Sequence, residues 1–298
     1  MAEIAGQGVG QVAYGAHREL GSFLTLWTMA VQRQGAYSFS TMPFRFIWRN
    51  LKTRWRDQRV EVEALLRGLG PTDVALDVGS NKGGYLMPLC RRAAEVIAVE
   101  PQADLAAYLG RMGRTWRLGN LKVMAVAASD RSGTAELWIP DGVANSPLAS
   151  LEARDEGEAH RPVEVPLVRL DDLARDLTGR IGAIKIDVEG HEGAVLAGAV
   201  EVLEKHRPVV VCECEERHLT RGTVHDLLRW MSDKGYDATF VLRGRLVDAQ
   251  EFNPAIHQRD TGGDYWNLPA YANNFVFVPR DVGVREPSLF PGDSPPRG

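Results

Sequence analysis

The sequence predicts an α/β fold built on a mostly parallel sheet with helices on both faces. Three observations predict it. Short continuous apolar runs recur at Val74–Val78, Val96–Val99, Lys122–Ala127, Ala183–Ile186 and Val209–Cys212, each followed by a helical stretch. Strands of that kind belong in a parallel sheet whose two faces are both covered. The first run feeds directly into a glycine-rich turn, Gly79 to Gly84, and the second ends in an acid, Glu100, 23 residues after Asp77.

The elements follow in order. Leu20, Phe23, Leu24, Trp27 and Val31 recur at helical spacing, and Phe44, Ile47, Leu51 and Trp55 do so again. These read as two amphipathic helices with basic outer faces. Residues 1–70 hold nine basic and five acidic side chains. The leading reading is a helical cap packed on the main body. A lid over a substrate pocket, a homodimer contact and peripheral adhesion to an anionic membrane through residues 1–60 are the other readings. Val60 to Leu69 reads as a helix ended by Gly70-Pro71. Thr134–Ile139 and Val163–Leu170 alternate with a period of two and read as half-buried strands. The polar stretch from Gly142 to Pro162 is long enough to cover part of a pocket. Ala238–Leu242 and Asn274–Val278 complete the strands. The Pro- and Gly-rich residues 281–298 read as a flexible tail. The division expected is an N-terminal helical extension over 1–60, a main domain over 61–280 and the tail.

Composition narrows the function classes. The chain of 298 residues carries 35 basic and 39 acidic side chains, a net charge of −4. That balance argues against a nucleic-acid partner. Three cysteines, Cys90, Cys212 and Cys214, make no disulfide framework and favour a reducing, cytoplasmic location. Neither a secretory signal nor an apolar run of about 20 residues stands out.

The turn after the first strand carries chemistry. Gly79 lets backbone approach a ligand closely, and Gly83 and Gly84 allow tight helix–strand packing. An acid some 20 residues on is placed to reach a ribose hydroxyl. The loop reads Gly79-x-x-x-Gly83-Gly84 rather than G-x-G-x-x-G, and Asp77 stands beside it. An acid there repels a pyrophosphate and suits a ligand with a cationic amino group and no phosphate. S-adenosylmethionine (SAM) is such a ligand. A nicotinamide-dependent oxidoreductase is disfavoured on the same ground.

The run Ile184-Lys185-Ile186-Asp187-Val188-Glu189-Gly190-His191-Glu192 resembles the signature of the FkbM family of SAM-dependent methyltransferases. Leu76 to Gly83, Val99-Glu100-Pro101, Ala127 to Leu137 and Val168 to Leu173 resemble further elements of that family in the same order, over roughly residues 72–215. The resemblance implies a Rossmann-like class I methyltransferase fold, a seven-stranded sheet with its last strand antiparallel. It implies methyl transfer to an oxygen, commonly a hydroxyl of a sugar, glycan or natural product. A lipid or protein acceptor, or SAM binding without catalysis, is the alternative. Carried over by position, SAM is held by Asp77, Gly79, Ser80, Asn81 and Gly83. Glu100 and Pro101 stand at the ribose, Ser129 and Asp130 near the adenine, and Asp187 borders the methionine end and the acceptor.

The reaction needs one proton removed from a hydroxyl. Asp187, Glu189 and His191 are the catalytic candidates. On an extended strand Asp187 and Glu189 face the same way. With Glu213 or Glu215 they form an oxygen set for Mg2+ or another divalent cation. His218 is a second candidate for the acceptor pocket. Cys212 and Cys214 share one strand face and read as core. Trp138, Tyr265 and Trp266 are either packing residues or stacking platforms for a sugar.

Overall fold

The structure is a computed structural model, and it describes residues 42–140, 149–152, 160–262 and 268–281. The first expected helix, Tyr265, Trp266, most of the loop after Gly142 and the tail from residue 282 lie outside the described residues. The chain divides into two units, Met1–Phe44 and Arg45–Gly298. Only residues 42–44 of the first are described.

Two helices, α1 (Met42–Lys52) and α2 (Arg59–Gly68), precede the sheet, joined by a π-helical turn over Thr53–Asp57. The body then runs β1 (Val74–Val78), α3 (Leu86–Cys90), β2 (Glu95–Val99), α4 (Ala103–Thr115) and β3 (Leu121–Met124). After the short β4 (Ala127–Ala128) come β5 (Gly133–Pro140), β6 (His160–Val168) and α5 (Leu170–Ala174). The second half holds β7 (Ile181–Ile186), α6 (Glu192–Ala197), α7 (Val200–His206), β8 (Val209–Glu213) and α8 (Val224–Asp233). It closes with β9 (Tyr236–Leu242), β10 (Arg245–Asp248), α9 (Pro254–His257) and β11 (Asn274–Pro279). The longest helix of this half, α8, starts from a reciprocal cap between Thr223 and Asp226.

The main sheet has the order β10-β9-β11-β8-β7-β1-β2-β3. Strands β3, β2, β1, β7 and β8 pair in parallel, and β11 is antiparallel to both β8 and β9. The expected seven strands are therefore present with their reversed member, and an eighth adds to the edge. Its cause is local. Arg243 (φ 52°) and Gly244 (φ 71°) both adopt left-handed backbone. A two-residue loop of that kind folds β10 back onto β9 as a hairpin, with Leu242 opposite Arg245.

The run expected as one strand over Lys122–Ala127 is divided. β3 ends at Met124, and β4 joins β6 and β5 in a separate three-stranded sheet with its own small core of Ala127, Leu137, Ile139, Val165 and Leu167. β5 and β6 are the two alternating segments, paired antiparallel from Gly133 to Pro140.

The two faces of the main sheet bury different residues. One face packs Leu76, Val78, Ile184, Ile186 and Phe275 under α5 to α8. The other packs Ala75, Ala183, Val211 and Val276 with Phe46, Leu65 and Leu89. Alternation along β1, β7 and β8 then places Asp77, Lys185 and Glu213 on that second face, at the carboxyl end of the sheet.

The helix over Met42–Lys52 forms as expected, but a different face turns inward. Phe46, Asn50 and the following Thr53 are buried, whereas Phe44, Leu51 and Trp55 are exposed. Asn50 explains the choice. Its amide donates to the carbonyl of Gly83 at 2.8 Å and its Oδ1 accepts from the Met87 N–H at 2.8 Å.

Candidate active site

The chain leaves β1 at Gly79, whose φ is +73°. The Gly79 and Ser80 N–H groups donate to the Val99 carbonyl at 2.9 and 3.2 Å. A Cβ at Gly79 would lie 1.7 Å from the carbonyl oxygen of Asp187. The turns after β1 and β7 therefore meet backbone to backbone, which only glycine permits. Asn81 follows with left-handed backbone, and its N–H donates to Glu100 Oε2 at 2.7 Å. The Gln102 N–H donates to Glu100 Oε1 at 2.9 Å. Glu100 thus clasps the loops after β1 and β2. Burial raises its pKa, and the two amides pull the other way.

These loops border a cavity of about 230 Å3. Gly79, Asn81, Glu100 and Pro101 line it on one side. Asp187, Glu189, His191 and Glu213 line it on the other. Strands far apart in sequence deliver these groups to one crevice because ligands in open α/β sheets sit at the strand carboxyl ends.

The remaining expected residues stand elsewhere. Asp77 is buried beneath the turn. Ser80 donates to the Asp77 carbonyl at 2.7 Å. Gly83 is a packing position, where a Cβ would meet Leu109, Leu86 and Phe46 at 2.8 to 2.9 Å. Ser129 and Asp130 line a second cavity of about 500 Å3, which shares Leu151 and His191 with the first. They follow β4, which has left the main sheet.

Under the first cavity and in its wall lies a group of interacting charges, of which Asp77 and Lys185 are buried. Asp77 pairs in register with Lys185 on β7, and neither Asp77 side-chain oxygen has a hydrogen-bond partner. Burial pushes its carboxyl up to about 6 despite the nearby Lys185 charge. Lys185 Nζ donates to Asp187 Oδ2 at 2.9 Å and to the Gly79 carbonyl at 3.3 Å, and lies 5.5 Å from the centre of the Tyr85 ring. Burial disfavours the lysine charge, but Asp187 and Asp77 outweigh it and raise the pKa. Glu213 accepts from Asn273 Nδ2 at 2.7 Å. Burial first, and then the Asp187 charge, push Glu213 well above the ordinary carboxylate range.

The turn after β7 corrects two expectations. The strand ends at Ile186, and Glu189 (φ 55°) and Gly190 (φ 101°) both take left-handed backbone. Extended alternation is lost, so Glu189 does not join Asp187. Its Oε2 pairs instead with His218 Nδ1 at 2.9 Å. The oxygen set Asp187, Glu189 and Glu213 is not assembled, and the three engage Lys185, His218 and Asn273 respectively. Glu215, the alternative member, pairs with Arg217. Among the described residues no three His, Cys, Asp or Glu side chains gather as a metal site. The second correction is His191. Its Nδ1 lies 2.8 Å from Glu152 Oε1 and its Nε2 lies 3.0 Å from Ser129 Oγ. Both ring nitrogens are engaged within the protein, so the imidazole is a link rather than an open base.

Three participants escaped the sequence reading. Lys185 is a cation inside the apolar run Ile184-Lys185-Ile186, and that oddity is the signal it offered. Glu152 fastens the short segment Ala149–Glu152 to His191 and, through Oε2, to the Thr220 hydroxyl at 2.7 Å. Asn273 precedes β11 and carries no signal of its own. Cys212 and Cys214 are buried with free thiols, as expected.

The profile described as "Methyltransferase FkbM domain" matches residues 77–238, more than half of the chain. The chain belongs to the FkbM family of SAM-dependent methyltransferases. A relative described as 2-O-methyltransferase NoeI, from Sinorhizobium fredii, is 29% identical over 167 residues, which cover 51% of this chain and 67% of that one. Among solved structures, an FkbM methyltransferase from Methylobacillus flagellatus superposes with a TM-score of 0.44 at 14% identity. That match covers 87% of this chain and 59% of the other, so less than two thirds of the FkbM protein's length is spanned. Magnesium protoporphyrin IX methyltransferase from Synechocystis, with bound SAM, superposes with a TM-score of 0.41 at 13% identity, covering 83% and 86%. The FkbM match begins at Asp77, the last residue but one of β1, and so contains every group that lines the first cavity.

Proposed function

We propose that the chain transfers the methyl group of SAM to a hydroxyl oxygen of a sugar, glycan or related natural product. The observation that carries the reading is the convergence of Gly79, Asn81 and Glu100 with Asp187 and Glu213 on one cavity. The name of the 2-O-methyltransferase relative supports oxygen as the acceptor atom.

The residues present fit the cofactor. Asn81 Oδ1 is buried, unpartnered and at the cavity wall, and the Asp77 oxygens beneath are equally unpartnered. Glu100, with both oxygens already fixed by amides, keeps lone pairs for a ribose. Asp187, held by Lys185, supplies the negative charge that an amino group or sulfonium needs. When bound, SAM supplies an electrophilic methyl group.

The protein then has two tasks, aligning the acceptor oxygen and taking its proton. Glu213 is the proton acceptor in this reading. Burial and the Asp187 charge raise its affinity for a proton, which is the property a base for a weakly acidic hydroxyl requires. Asp187 orients rather than accepts, because its Oδ2 is committed to Lys185.

The test pairs binding with product analysis. S-adenosylhomocysteine titrated calorimetrically should bind, and labelled methyl from SAM should appear on hydroxylated acceptors as an alkali-stable ether. An alkali-labile ester, or no binding, removes the reading. Glu213→Gln should keep the binding and lower turnover about a hundredfold or more. Activity of the unsubstituted enzyme should rise with pH through a pKa above the ordinary carboxylate range, and that limb should vanish in the variant.

A further inference from the structure

The second cavity has no part in holding the cofactor as proposed. Its volume of about 500 Å3 is about twice that of the first and lies within the ~300–1,000 Å3 of small-molecule sites. Leu151 and His191 line both cavities, so the two share a wall. That wall is fastened from several directions. Ser150 pairs backbone to backbone with Trp138 at 2.8 and 3.1 Å, and its hydroxyl donates to the Glu189 carbonyl at 2.7 Å. Glu152 holds His191 on one oxygen and the Thr220 hydroxyl on the other.

The lining of the second cavity is of a particular kind. Trp230, on α8, packs against the core and still borders the cavity. Its indole offers a flat apolar surface. Asp130 Oδ1 accepts from the Ser129 hydroxyl and the Arg131 guanidinium, which leaves Oδ2 as a free acceptor among the described residues. Arg221 makes no hydrogen bond or ion pair with another described residue, and its N–H groups remain as donors. The charges of the wall are balanced. Arg131 and Arg221 stand against Asp130 and Glu152, and Asp226 is paired with Arg229. A flat apolar surface, an acceptor and a donor fork, with no excess of either charge, suit an uncharged ring that bears several hydroxyls.

We propose that the second cavity binds an uncharged saccharide unit next to the one that is methylated, so that the acceptor is an oligosaccharide rather than a free monosaccharide. The word acceptor here rests on the methyl-transfer reading; the saccharide site does not. A transfer reaction brings two ligands to one point. The groups suited to the cofactor line the first cavity, and the second meets it at Leu151 and His191. A unit held beside Trp230 contributes binding energy away from the reacting hydroxyl, where it serves alignment. A phosphate-bearing acceptor would require cations in excess. A lipid tail would cover Asp130 and Arg221 without serving them.

Gly193 provides the test. It lies in α6 and lines the second cavity, and a Cβ there would meet nothing within 4 Å. Gly193→Leu therefore fills the cavity without displacing packed atoms. The full chain is applied, with and without S-adenosylhomocysteine, to a printed array of neutral and acidic mono- and oligosaccharides that includes nucleotide sugars. Neutral oligosaccharides should be retained, and Gly193→Leu should lower that retention at least about tenfold. Its melting temperature and S-adenosylhomocysteine affinity should stay unchanged. Arg221→Met, on the loop before α8, should lower retention about threefold. Retention of no neutral oligosaccharide overturns the proposal. Equal retention by Gly193→Leu, or a preference for monosaccharides or nucleotide sugars, does so too. Weaker S-adenosylhomocysteine binding by Gly193→Leu overturns it in favour of the cofactor as occupant. If the unsubstituted chain does not bind S-adenosylhomocysteine, the methyl-transfer reading falls, while retention that Gly193→Leu removes still establishes the saccharide site.

Discussion

Beneath the turn after β1 the protein keeps Asp77 and Lys185 away from water, with Glu213 beside them at the cavity wall, while on α1 and the π-helical turn after it Leu51 and Trp55 are left in it. Both regions reverse the usual distribution, and they differ in how the reversal is tolerated. The buried charges hold one another. Lys185 neutralises Asp187 and lies beside Asp77, and Asn273 serves Glu213. The exposed aromatic side has the Arg54 guanidinium against the Trp55 ring. An internal charge cluster balances its cost with internal partners. The first reversal borders the cavity at the strand ends, and the second faces solvent.

The comparison can be broken at its strongest point by Gly79→Ala. A methyl group colliding with the Asp187 carbonyl must separate the turns after β1 and β7. Affinity for S-adenosylhomocysteine should fall at least about a hundredfold, as read by calorimetry, and unchanged affinity would show that the cavity does not depend on this seam. Next comes Lys185→Met, which leaves the buried Asp77 and the cavity-lining Asp187 without their cation. Stability should drop by about 3–5 kcal/mol at pH 8, measured by denaturant unfolding. The loss should shrink towards pH 5, where Asp77, already raised to about 6, takes up a proton.

Glu192→Gln should produce the smallest of these effects, with the opposite sign. Glu192 is buried in α6, its Oε2 has no partner, and burial pushes it up to about 7. A carboxyl raised in the folded state contributes stability below its unfolded pKa and loses it as pH rises through the folded one. Gln mimics the protonated form, so the variant should gain about 3 kcal/mol above pH 7 and nothing below pH 4.5. A variant equally stable at every pH would mean that this carboxyl is solvated after all.

The sheet was legible because β1, β2, β7 and β8 are buried on both sides and therefore read as unbroken apolar runs. β10 was not, because Arg243-Gly244 lacks the Asn-Gly or Asp-Gly signature of a hairpin although it adopts the same backbone. The inward face of α1 was misread for a related reason. Apolar spacing favours Phe44, Ile47, Leu51 and Trp55, and Ile47 does pack against the core, but the helix is seated by Asn50, a polar residue that hydrogen bonds to the glycine loop make worth burying. At the site, Gly79, Asn81, Glu100, Asp187 and Glu213 were legible because strand ends converge whatever fills the loops between. Glu189 was not, since a non-glycine residue in left-handed backbone leaves no trace in spacing. Lys185 announced itself as an anomaly but not its partner, which depends on the pairing of β7 with β1.

Glu100 has both carboxylate oxygens fastened before any ligand arrives, one by the amide of Asn81 and one by the amide of Gln102. The ordering entropy of these two loops is therefore spent during folding rather than on binding. In the proposed reading the cofactor meets a wall that these two hydrogen bonds have already fixed. In that reading, discrimination between SAM and its demethylated product is left to the other end of the cavity, where Asp187 is held by Lys185.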